Sequence, residues 1–167
     1  MKPVLFSCLI MALFMGCKKD HSSTIEIYLL DSFTKSMVQV SGIPVQSISN
    51  AVPEDQPLVA DKDILTYNRS SATFTLKKDI RPAIANYSTN TGFAVMVNKE
   101  PVYYGVFHPG FLSSLTIGIA TIDPVLSYNK ELPMRFVFID GITELLLLDK
   151  RNDSRLINAL RASGRLR

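Results

Sequence analysis

Phe93-Ala94-Val95-Met96-Val97 and Val102-Tyr103-Tyr104-Gly105-Val106-Phe107 flank the short polar segment Asn98-Lys99-Glu100-Pro101. Two runs rich in β-branched and aromatic residues around a tight polar turn predict a β-hairpin. Pro101 suits a strand start or an edge, because proline cannot donate to a ladder. Strand alternation must send about half of Tyr103, Tyr104, Phe107 and Phe111 into a core. The others, with His108 in the following Phe107-His108-Pro109-Gly110 loop, make a candidate exposed binding patch.

Working outward, residues 24–30 alternate and then run apolar, as a strand with one buried face does. Residues 37–40 and 45–48 are two short strand candidates around Gly42-Ile43-Pro44. Residues 50–57 read as a polar, proline-containing connection. Residues 61–67 fit either one helical turn or an edge segment. Residues 72–76 and 115–122 read as strands. Residues 135–139 and 145–148 read as a second hairpin around Asp140-Gly141.

Two helices are expected. In residues 77–87, Ile80, Ile84 and Tyr87 share a face, with Pro82 near the start, where it costs least. Residues 154–162 put Leu156, Ile157 and Leu160 on one face, with Asn152 or Asp153 as cap and Gly164 as stop. Strands outnumber helices without regular alternation. The expected fold is therefore α+β: a largely antiparallel sheet of short strands with about two helices packed on one face.

The chain begins differently. Lys2 precedes an apolar run from Val4 to Met15, which ends at Gly16-Cys17. That run is too short for a spanning helix, which needs about 20 apolar residues, and suits the h-region of an export signal. The sequence Leu13-Phe14-Met15-Gly16-Cys17 resembles a bacterial lipobox. The resemblance implies cleavage before Cys17 and diacylglyceryl and acyl groups on it, and hence a membrane anchor. Several acyl chains hold a protein on a bilayer where one holds it only marginally. Lys18 follows the cysteine where enterobacterial lipoproteins retained at the inner membrane carry aspartate, which points to the outer membrane. Asp20 leaves display at the cell surface open.

The expected organisation is thus a signal peptide at 1–16, a lipidated cysteine and short tether at 17–23, and one α+β domain at 24–167. The roughly 150 residues left after cleavage are enough to bury a core. Of the two cysteines, Cys8 leaves with the signal and Cys17 carries lipid, so no disulfide, thiolate metal site or cysteine nucleophile is expected. A net charge of +3 is no footprint for nucleic acid. Arg161, Arg165 and Arg167 suit a helix C-terminus facing its own dipole.

Reactive chemistry is sparse. Of the two histidines, His21 lies in the tether, and one remaining histidine is a poor basis for zinc. Ser113 or Ser114 with His108 and Asp123 would make a hydrolytic set, but no G-x-S-x-G turn surrounds the serines. Asp123 and Asp140 each sit beside a turn signal. Asp61-Lys62-Asp63 lacks the other ligands of a calcium loop. The eight glycines are scattered, with neither a P-loop nor a dinucleotide fingerprint. The polar run Asp149-Lys150-Arg151-Asn152-Asp153-Ser154-Arg155 fits a turn into a capped helix, or a surface for an anionic or peptide partner. No catalytic residue, metal or cofactor is therefore expected.

Residues 72–76, the helix after them and the segment from Gly92 to Tyr104 are similar to the periplasmic first domain of the SecD export subunit. There, too, a strand precedes a helix and a hairpin. The likeness spans Leu65 to Ile119 and implies a fold. No translocase role comes with it, since SecD's membrane helices have no counterpart here. The mature chain as a whole looks like small uncharacterised lipoproteins of Gram-negative bacteria, a likeness that brings no activity. The expected function is a non-catalytic protein- or peptide-binding or assembly module, anchored in the cell envelope through Cys17. The alternative is a small envelope hydrolase using His108.

Overall fold

The structure is a computed structural model that describes residues 23–125 and 129–167. The expected signal peptide, Cys17 and the expected tether up to residue 22 lie outside the described residues. Among the described residues no helix is long and apolar enough to cross a membrane.

The architecture is a sheet-dominated α+β fold. Strands β1 (Ile25–Val40), β2 (Ile43–Val59), β5 (Gly92–Val97), β6 (Glu100–Phe107) and β7 (Ala120–Ile122) form one sheet in the order β2-β1-β5-β6-β7. All pairs are antiparallel except β6 with β7. Strands β3 (Ile64–Asn68), β4 (Thr73–Leu76) and β8 (Glu131–Pro133) form a smaller antiparallel sheet. Helices α1 (Arg81–Ile84) and α2 (Leu145–Leu148) are single turns, and α3 (Ser154–Ala162) is the one longer helix among the described residues.

The predicted hairpin is β5–β6, which turns through Asn98 and Lys99 in left-handed conformations. Phe93, Val95 and Val97 point to a large core shared with β3, β4, β8 and α3, and Ala94 and Met96 point to a small second cluster. Helix α3 also forms as expected. The carboxylate of Asp153 accepts the backbone N–H of Arg155 at 2.9 Å and caps it, Leu156, Ile157 and Leu160 are buried, and Gly164 leaves in a left-handed conformation.

Four expectations are corrected. The first strands are not short: β1 has 16 residues and β2 has 17, absorbing the short candidates and the supposed connection at 50–57. Pro53 and Pro57 are tolerated because β2 ends the sheet order and so carries an edge. The helix expected at 77–87 shrinks to Arg81–Ile84. Its apolar face is nonetheless real, since Ile84 is buried and Ile80 and Tyr87 pack against the same core.

Only Ala120–Ile122 of the segment 115–122 is strand, because Gly118 at φ +92° breaks the extended run. The hairpin of 135–139 with 145–148 does not form. Arg135 and Val137 instead make isolated bridges to Thr121 and Ile117, and the leucine run is helical, with only Leu145 buried. Leucine favours helix, and without a buried face to repeat on, strand alternation does not win.

The large sheet bends back on itself. Register shifts between Ile27 and Thr34 break the regularity of β1 against β2, and such bulges bend and twist a strand. The far part of β2 then meets the segment before β7: Gln46 N–H donates to the carbonyl of Ile117 at 2.7 Å. A Cβ on Gly118 would stand 2.7 Å from Cβ of Val45, so only glycine fits beneath the strand. The far end of β2 is thereby held against the segment before β7. Apart from the main core, Tyr28, Leu30, Ala94 and Met96 pack with Phe33, Ile48, Ala51 and Tyr104.

Candidate functional site

Where the folded-back end of the β1–β2 hairpin faces β6, it leaves a groove of about 280 Å³. One wall is Val38 of β1 with Val45 and Ile48 of β2. The others come from Tyr103 and Tyr104 of β6, from Ile119, and from Phe136 and Leu148. Ile48 and Tyr104 also pack against the small second cluster, so the groove adjoins it. Its volume lies just below that of typical ligand pockets, about 300–1,000 Å³. That is room for one or two apolar side chains rather than for a large cofactor.

Comparison with known protein families, with curated proteins and with solved structures finds no match. What the site can do rests on its own geometry.

The polar groups are few. Among the lining residues Lys150 alone carries a charge at neutral pH. Its acidic neighbours are taken: Asp149 is gripped by Arg151, with bonds of 2.8 and 2.7 Å, and Asp153 by Arg155 at 3.1 Å. Hydrogen bonding to Arg155 holds the Asp153 carboxyl below the usual carboxylate range. Arg151 also donates to the carbonyl of Met134 at 2.7 Å and lies 5.6 Å from the ring centre of Phe136, fixing that wall of the groove. Of the run Asp149–Arg155, the two arginines and their aspartates thus serve structure, while Lys150 adds only a weak coulombic pull on Asp153, so its ammonium can still meet a ligand.

Tyr103 is the other distinctive group. Among the described residues its hydroxyl is the one buried side-chain polar atom without a hydrogen-bond partner. Burial pushes its pKa well above the usual tyrosine value, so it stays a neutral donor at physiological pH.

The five residues expected to form a patch are divided by strand alternation. Phe107 is fully buried, its ring 4.9 Å from Tyr87 and 5.7 Å from Phe93, and is no part of a surface. Tyr103 is 6% exposed and belongs to the same core while lining the groove. Tyr104 is half-buried in the groove. Phe111, at 76% exposure, stands out from the loop after β6. His108 is half-buried beside it in sequence, its Nδ1 3.0 Å from the Thr116 hydroxyl and its backbone N–H on the carbonyl of Ile122.

The partner of His108 is thus a threonine, not Ser113 or Ser114, both of which are exposed. Asp123 is buried, accepting the N–H of Val125 at 2.9 Å and facing Arg135 at 3.4 Å. Asp61 accepts from the N–H of Ile25 and from Arg165, at 2.7 and 2.8 Å, stapling the C-terminus to the start of β1. Arg165 is therefore an anchor for the chain end and not a dipole partner of α3. Among the described residues no three His, Cys, Asp or Glu side chains are grouped to hold a metal.

The groove itself was missed in sequence. Its walls come from segments about 100 residues apart, joined by the bend in β1 and β2. Lys150 was in view only as one charge of a polar run.

Proposed function

We propose that this chain is a lipid-anchored protein of the bacterial cell envelope whose domain binds a protein or peptide partner in the groove between the β1–β2 hairpin and β6. The observation that carries the reading is the groove: a preformed apolar cleft, adjoining the small second cluster, with a single cation among its lining residues. Exposed Met37, at 59%, and Val38, at 46%, extend apolar surface along the adjoining arm. The lipobox-like Gly16-Cys17 supports attachment at Cys17 and Lys18 supports the outer membrane, while the SecD-like strand, helix and hairpin favour the same compartment. The hydrolase alternative has less support, since the hydroxyl partner that the structure gives His108 is Thr116.

Two measurements on the full chain in intact cells test this reading. Cys17→Ser should abolish incorporation of labelled palmitate and move the protein out of the membrane fraction. A photo-crosslinking residue at Phe136 or Leu148 should capture the same envelope protein, and one at Arg69 should not. Membrane association that survives Cys17→Ser refutes the anchor. Equal capture from Arg69 refutes the groove.

A further inference from the structure

We infer that the groove recognises an apolar side chain next to a carboxylate, so that the partner's binding segment carries Asp, Glu or a free C-terminus beside a large hydrophobic residue. This deepens the proposed peptide-binding role and rests on it. The occupant follows from charge complementarity. The walls offer Val38, Val45, Ile48, Ile119, Phe136 and Leu148 to an apolar group, and Lys150 is the only charged side chain among the lining residues.

Both carboxylates nearest to it in sequence are bonded to arginines, Asp149 with Arg151 at 2.7 Å and Asp153 with Arg155 at 3.1 Å, and Lys150 acts on Asp153 only through a weaker coulombic pull. A cation left over beside an apolar cleft favours a ligand of opposite charge and penalises a basic one. No lining residue supplies a carboxylate that would accept a basic partner.

The size of the effect follows from exposure. Lys150 is exposed, so its pairing with a ligand carboxylate is a rim interaction worth up to about 1 kcal/mol, or roughly fivefold in affinity. Reversing the charge replaces attraction with repulsion and brings the loss to about tenfold, shrinking as salt is raised.

The test pans a random heptapeptide display library against the full chain in phosphatidylcholine nanodiscs, with empty nanodiscs to remove membrane binders. The result expected is enrichment of peptides with a large apolar residue adjacent to Asp, Glu or the C-terminal carboxylate. A representative peptide should bind about fivefold more weakly to Lys150→Ala and about tenfold more weakly to Lys150→Glu. It should not bind Ser47→Trp, which fills the groove from a half-buried position on β2.

Enriched peptides that Ser47→Trp blocks but that lack acidic groups, or that bind Lys150→Glu unchanged, overturn this inference and leave peptide binding standing. No enrichment over empty nanodiscs, or enrichment indifferent to Ser47→Trp, overturns both.

Discussion

Replacing Tyr103 with phenylalanine should stabilise the domain. The tyrosine ring is buried in the main core, and its hydroxyl is sealed from solvent with no hydrogen-bond partner. In the unfolded chain that hydroxyl is hydrated, so folding strips it of water and returns nothing. An unsatisfied buried group of this kind costs about 1–3 kcal/mol. Phenylalanine keeps the ring and its contacts and removes the liability. The void left by one oxygen, on the order of 10 Å³, costs only about 0.2 kcal/mol at ~24 cal/mol per Å³.

The expected net gain is about 1–2 kcal/mol. At about 2–4 °C per kcal/mol for a domain of this size, Tm should rise by roughly 2–8 °C. Urea unfolding followed by circular dichroism should show a higher midpoint with an unchanged slope, the sign of a change in stability and not in the denatured state. A Tyr103→Phe variant less stable than its parent would refute the reasoning, because the hydroxyl would then have to be satisfied, by trapped water or otherwise.

Two further substitutions probe the frame around the groove. Gly105→Ala on β6 would put a Cβ 2.3 Å from both the carbonyl oxygen of Ala120 and Cζ of Phe93, so strand and buried ring would have to move; a loss of about 3 kcal/mol or more in urea unfolding is expected, and a loss under about 1 kcal/mol would show the β6–β7 contact to be loose. Asp153→Ala removes the cap of α3 and should cost about 1 kcal/mol at pH 7. Because Arg155 depresses the folded-state pKa of Asp153, its contribution is complete above the unfolded carboxylate value near ~4 and fades as pH falls through the depressed value. The urea midpoints of parent and variant should therefore converge in acid, and a gap unchanged between pH 7 and pH 2 would mean that the cap does not act through its charge.

What the chain reveals of its fold depends on whether a segment has a buried face. In β5 every residue is buried, and in α3 the inner face is Leu156, Ile157 and Leu160 behind a capping aspartate, so pattern and structure agree. From Asp31 to Gln39 along β1 nearly every residue is exposed. Alternation records burial, not hydrogen bonding, so an arm whose first strand is buried on neither face leaves little periodic trace. The leucines at 145–148 mislead in the opposite sense. Four apolar residues in a row look like a buried strand, yet Leu146 and Leu147 are 59% and 71% exposed.

The groove was hidden for a further reason: it depends on a bend. The register shifts in β1 bring Val45 over Gly118 and set Gln46 against Ile117, and only then do Val38, Ile48, Phe136 and Leu148 face Tyr104. None of these residues is unusual where it stands in the sequence. Gly118 is the one local sign, because a left-handed glycine inside an alternating run breaks a strand at the point where another backbone comes close. The same bend leaves Tyr103 both in the main core and in the wall of the groove. Its hydroxyl is sealed from solvent, out of reach of a peptide in the groove, so the stability lead of Tyr103→Phe should stay the same as peptide is added.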